Sequence, residues 1–110
     1  MEITIKFLSE AETFLDELKE KERMKILTDI RKTSYGLKGE WFRKMPGTDD
    51  IWEFRTLFNK TYYRMFAFYD KKVRAQIICT NGIVKKSDKT PQHELEKAEN
   101  LKRNYYLSLK

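Results

Sequence analysis

Ile51-Trp52-Glu53-Phe54-Arg55-Thr56-Leu57, then Tyr62-Tyr63-Arg64-Met65-Phe66-Ala67-Phe68-Tyr69, then Val73-Arg74-Ala75-Gln76-Ile77-Ile78-Cys79-Thr80 are three segments rich in aromatic and β-branched residues. Such side chains fit a pleated, half-buried surface, and each segment reads as a strand. Phe58-Asn59-Lys60-Thr61 and Asp70-Lys71-Lys72 are the only residues between them. Strands joined by turns this short pair antiparallel, so the stretch predicts a meander.

On the N-terminal side, Ile3, Ile5 and Phe7 alternate with Thr4 and Lys6, which predicts a short strand over 2–7. Ser9 and Glu12 have the spacing of a capping box. Ala11, Phe14, Leu15 and Leu18, then Met24, Leu27 and Ile30, recur at helical period up to a stop at Gly36. Two helices, or one helix bent near 19–22, should cover 10–36. Residues 37–50 read as a loop in which Trp41 and Phe42 anchor onto the core. Beyond the meander, Asn81-Gly82 predicts a turn. Ile83-Val84 then offer a short further strand, 85–90 a basic loop, and Thr90-Pro91 the N-cap and first position of a last helix to about Tyr106. The class is α+β: a strand, two helices, an antiparallel sheet of three or four strands and a C-terminal helix, with the helices on one sheet face.

The chain has 110 residues, which fits a single domain over 1–110. With 40% hydrophobic residues it is too apolar for a disordered chain. The longest uncharged run, Ala75 to Val84, is half of the roughly 20 residues needed to cross a bilayer. No membrane association is expected. The start, Met1-Glu2-Ile3-Thr4-Ile5-Lys6, lacks the apolar core of a secretory signal, and the single cysteine, Cys79, cannot form an intrachain disulfide. A reducing cytoplasm is the expected compartment. Residues 1–50 hold 10 basic and 11 acidic side chains, net −1, whereas 51–110 hold 13 and 6, net +7. Such asymmetry points to a polyanionic partner.

Loops of two or four residues between the first two meander strands both set Arg55 directly opposite Arg64. Two guanidinium groups across one rung need an anion between them. A phosphate is the favoured guest, because each guanidinium offers a planar fork of donors. A carboxylate of the chain, Glu53 or Asp70, is the alternative. Alternation places Tyr62, not Tyr63, on the side of Arg64, where its phenol can stack on a base or pack across the strands. Phe66 and Phe68 continue that face as its apolar end. Lys85, Lys86 and Lys89 crowd one loop, able to grip an RNA backbone or simply to face water. The lone histidine, His93, is read as a surface or structural residue. No ligand cluster or glycine-rich phosphate loop is visible, so neither metal nor cofactor is expected.

Ile51-Trp52-Glu53-Phe54-Arg55, then Tyr63-Arg64-Met65, then Ile83-Val84-Lys85-Lys86-Ser87-Asp88-Lys89-Thr90-Pro91 before a C-terminal helix resemble the RelE/ParE toxin superfamily, and within it the HigB-like, phage-derived branch. Ile83 stands where that branch often has Phe. The resemblance covers about residues 35–105. It implies the toxin of a type II toxin–antitoxin pair. It further implies a ribosome-dependent endoribonuclease that cuts mRNA without metal, by attack of the ribose 2′-OH on the adjacent phosphate. Its implied partners are a helix-turn-helix antitoxin, the ribosome and mRNA. Arg55 and Arg64 match the sheet-borne basic residues of the superfamily, and Lys85, Lys86 and Lys89 its basic loop. The expected catalytic set is therefore Arg55, Arg64, Lys86 and Tyr62, with Lys85, Lys89 and Lys60 contacting RNA. No general base is assigned. A ParE-like, non-catalytic gyrase poison and an inactive RNA-binding module are the alternatives.

Overall fold

The computed structural model describes residues 2–87 and 89–110. In chain order it contains β1 (Thr4–Phe7), α1 (Ser9–Asp16), α2 (Glu20–Ser34), β2 (Phe42–Lys44), β3 (Trp52–Phe58), β4 (Thr61–Tyr69), β5 (Gln76–Lys85) and α3 (Gln92–Ser108). The class is α+β, as expected, but the sheet has five strands in the order β1-β5-β4-β3-β2. β1 runs parallel to β5, and the other neighbours are antiparallel. β2 arises inside the stretch read as loop, where Phe42 pairs with Phe54.

The helices do not share one face. Ala11 and Leu15 of α1 and Ile26 and Ile30 of α2 pack against Phe54, Tyr63, Met65, Ala67, Ile77 and Cys79. Leu95 and Ala98 of α3 pack with Met45, Ile51 and Phe66 on the opposite side. The reason lies in β4, whose residues from Tyr63 to Phe68 are all buried. Strands buried on both faces are uninterruptedly apolar, and they need cover above and below. Arg64 is the exception in that run.

Local chemistry sets the boundaries. Asn59 and Lys60 have φ of 52° and 61°, the paired left-handed residues of a two-residue type I′ hairpin turn. α2 ends in a Schellman arrangement at Gly36, φ 84°, where Gly36 N–H donates to the Thr33 carbonyl and Leu37 N–H to that of Lys32. The capping expected at Ser9 is instead found at α2. Ser9 already lies inside α1, whereas the Lys19 N–H donates to Glu22 Oε1 at 3.1 Å. Asn81-Gly82 is not a turn. Both residues lie within β5, which begins at Gln76 rather than Val73 and extends through Ile83 and Val84. A β-bulge between Met65 and Ala67 adjusts the pairing there. Asn81 Nδ2 reaches Glu94 of α3 at 3.3 Å, and a Cβ on Gly82 would lie 2.3 Å from the Phe14 ring.

Candidate nucleic-acid interface

α3 covers the Phe66–Phe68 half of its sheet face. The other half, toward the β3–β4 turn, is polar. β3 and β4 bring Arg55 opposite Arg64 and Leu57 opposite Tyr62, and β5 brings Lys85 opposite Tyr62. The Tyr62 ring serves both arginines: Arg55 Cζ lies 4.7 Å and Arg64 Cζ 5.3 Å from its centroid. A guanidinium on an aromatic face is held by the ring quadrupole, so Tyr62 orients the pair. Arg55, Tyr62 and Lys85 are partly exposed. Arg55 and Tyr62 open onto a groove walled by Gly39, Trp41 and Arg43, to which Glu40 brings a carboxylate.

Arg64 does not share that exposure. It is 0% exposed, and Nη1 donates to Glu53 Oε2 at 3.1 Å. Nη1 also donates to Thr90 Oγ1, whose own hydroxyl donates to the same Glu53 oxygen at 2.7 Å. Nη2 donates to the Ser87 carbonyl at 3.1 Å. The expectation of a phosphate clasped between two guanidiniums therefore fails at Arg64. Glu53, on the same face and two residues before Arg55, neutralises it inside the protein. Glu53 Oε1 and Arg64 Nε find no hydrogen-bond partner among the described residues. Thr90 is likewise not the helix cap: Pro91 holds that position, and the Thr90 hydroxyl closes the Arg64–Glu53 pair. Together these bonds tie the segment after β5 down onto β3 and β4.

The remaining predicted residues sort by place. Lys85 ends β5 on the Tyr62 rung, while Lys86 and Lys89 are exposed in the tethered segment. Lys60 is exposed at the tip of the β3–β4 turn. Asp88 lies outside the described residues. His93 is an exposed surface side chain with Nε2 3.2 Å from Glu94. Burial pushes the Cys79 thiol far above its ordinary pKa, so it is no nucleophile. Among the described residues no cluster of His, Cys, Asp or Glu could hold a metal, and no helix is long and apolar enough to cross a membrane. Of the two carboxylates offered as alternatives to a phosphate, Glu53 is the one that pairs with Arg64, while Ser87 had been given no role and Thr90 only that of a helix cap. The signal for Glu53 was present: alternation sets it on the face of Arg55, diagonal to Arg64.

The profile of the family described as phage derived protein Gp49-like matches residues 13–103. No curated protein matches the chain. Among solved structures, an arginine-to-alanine double mutant of the E. coli toxin RelE in the free state superposes with a TM-score of 0.63 at 16% identity, over 94% of this chain and 98% of that one. RelE of the intact E. coli RelBE toxin–antitoxin complex gives 0.58 at 14% identity, over 79% and 99%. RelE of the archaeal RelE–RelB complex from Pyrococcus horikoshii gives 0.57 at 18% identity, over 81% and 100%. The fold is therefore RelE-like.

Proposed function

Since the chain belongs to the phage derived Gp49-like family and carries a RelE-like fold, we propose that it is the toxin of a type II toxin–antitoxin pair, of the HigB-like kind. On this reading it is a metal-independent, ribosome-dependent mRNA endoribonuclease acting in the cytoplasm. The observation that carries the reading is the Arg55–Tyr62–Lys85 cluster on the sheet half that α3 leaves uncovered, bordered by Lys86, Lys89 and Lys60.

In the proposed reaction the 2′-OH of a ribose attacks the adjacent phosphorus, and the bond to the 5′-oxygen of the next nucleotide breaks. The attack gives up the 2′-OH proton to solvent and leaves a 2′,3′-cyclic phosphate, while the departing oxygen takes up a proton from solvent. Arg55 and Lys85 stabilise the charge that gathers on the phosphate oxygens. Tyr62 holds the Arg55 guanidinium and offers its ring edge to a base. Lys86, Lys89 and Lys60 hold the backbone on either side. Arg64 acts through the segment that it tethers, as a positioning residue. The ribosome supplies substrate orientation, which can be worth about 7–11 kcal/mol of the barrier.

The test is induced expression with methionine and thymidine incorporation followed separately, alongside mRNA cleavage by purified protein with and without ribosomes, in a buffer whose only divalent ion is the magnesium that keeps ribosomes assembled. Methionine incorporation should fall first, and cleavage should need ribosomes but no divalent ion beyond that which keeps them assembled. An early fall in thymidine incorporation with intact mRNA would identify a gyrase poison instead. Unimpaired growth would leave an RNA-binding module. Binding of mRNA should weaken steeply with salt, because contacted phosphates release counterions.

A further inference from the structure

A cleft of about 740 Å3 lies between the last turns of α3 and the β4–β5 turn. Lys71, Lys72, Arg103 and Lys110 line it, with Lys102 at its floor. Asp49 supplies the one acidic side chain among the described lining residues, and Lys102 already engages it: Nζ donates to the Asp49 carbonyl at 2.6 Å and lies 3.6 Å from its carboxylate. The field in the cleft is therefore positive. Its wall is also apolar. Leu107 is 61% and Leu109 51% exposed, and Leu107 follows Arg103 at i+4, on the same helical stripe. Single exposed leucines are ordinary, but two on one concave cationic surface make an amphipathic patch.

This combination selects its occupant. RNA gains little from leucine and is held instead on open aromatic faces. The aromatic ring here is committed elsewhere: Tyr106 packs against Phe68 and Tyr105 at 5.6 and 5.3 Å, and its hydroxyl accepts the Lys71 N–H at 2.8 Å. We propose that this cleft docks an acidic amphipathic segment of a partner protein. Its carboxylates pair with Lys71, Lys72 and Arg103, and its aliphatic side chains cover Leu107 and Leu109. The proposal deepens the toxin reading, in which the partner is the antitoxin, but peptide binding reads it out independently of RNA cleavage. Tyr69, whose carbonyl accepts the Tyr106 hydroxyl, sits at the opposite end of β4 from Tyr62, roughly 23 Å away at a rise of ~3.3 Å per residue. A segment bound here leaves Arg55 open.

The probe is a fluorescein-labelled synthetic peptide with leucine on one helical face and glutamate on the other. A copy with every leucine replaced by serine and an oligouridylate complete the set. The leucine peptide should bind the folded protein at least about tenfold more tightly than the serine copy. Lys72→Glu and Leu107→Ser should each weaken it by about tenfold, with unchanged circular dichroism. Lys25→Glu, the same charge change on exposed α2 surface, should leave it unaltered. No binding of the leucine peptide, or affinity indifferent to Leu107→Ser, overturns the proposal. So does oligouridylate binding that is lost in these variants in place of peptide binding, which marks an RNA surface. Self-association in sedimentation that Leu107→Ser abolishes overturns it in favour of a second copy of the chain.

Discussion

Arg55 and Arg64 face each other across one rung of the β3–β4 hairpin, yet Arg64 is sealed inside the protein on Glu53 while Arg55 is only half-buried. The Tyr62 ring lies within cation–π range of both. Two like charges this close are tolerable because one is neutralised by a buried carboxylate and the other is partly solvated. The division assigns them different work. Arg64 joins the sheet to Ser87 and Thr90, whereas Arg55 meets whatever enters the groove.

Stability should therefore separate the two arginines. Arg64→Ala leaves the Glu53 carboxyl group buried without its partner, and losing one member of such a pair costs about 3–5 kcal/mol. Replacing both, as in Arg64→Met with Glu53→Leu, should restore most of that stability while leaving the Ser87–Thr90 segment untethered. Arg55→Ala, at a half-buried position, should cost less stability than Arg64→Ala and should still abolish growth inhibition. Urea denaturation of the three variants beside a toxicity assay checks this. Equal losses of stability in the two single variants would contradict it.

Thr90→Val isolates the tether from the ion pair. Valine keeps the shape but removes the hydroxyl that accepts from Arg64 and donates to Glu53. A buried network with one member lost should be weaker by about 1–3 kcal/mol. The amides of Lys86, Ser87, Lys89 and Thr90 should exchange faster, and Thr90→Ser should recover the slower exchange. Exchange rates unaffected by Thr90→Val would show that the segment is held by other means.

The β3–β4 register was legible because loops of two and of four residues give the same pairing, and the left-handed Asn59 and Lys60 make the turn the two-residue one. The same alternation correctly placed Tyr62 beside the arginines. Asn81-Gly82 misled because dipeptide turn rules see only local preference. What fixes that stretch is distant: Glu94 reaching Asn81 and the Phe14 ring occupying the space above Gly82. β2 is three residues long, too short to show a period. The burial of Arg64 was hidden because cation counting says nothing of depth. The apolar residues flanking it in β4, whose cover lies on both faces, were its only marker.

Gly82→Ala follows from that packing. A methyl group there would lie 2.3 Å from the Phe14 ring, so α1 must yield or β5 must bend. Overpacking of this kind costs about 1–3 kcal/mol. Phe14→Ala in the same chain should make the second methyl nearly free, giving a coupling between the two sites of at least about 0.5 kcal/mol. A thermal-denaturation cycle over the four proteins measures it. Strict additivity would mean that the ring does not set the limit at Gly82.

The Asp70–Tyr105 pair gives stability two pH limbs. Burial alone raises the Asp70 pKa, but the Tyr105 hydroxyl at 2.6 Å, the Lys72 N–H at 2.8 Å and the Gln76 amide at 2.9 Å outweigh it and hold the carboxyl below its ordinary value. A carboxylate depressed in the folded state contributes stability above its unfolded pKa of about 4, and that stability is lost as pH falls through the lower folded value. Tyr105 moves the other way. Burial first, then its bond to Asp70, pushes its hydroxyl up to about 12. Its contribution is complete below the unfolded pKa of about 10 and is lost as pH rises toward 12. Asp70→Asn should flatten the acid limb of a urea-midpoint profile, and Tyr105→Phe should flatten the alkaline limb while also weakening the acid one, since it removes a donor to Asp70. An acid limb unchanged by both substitutions would assign the proton-linked loss to other carboxylates.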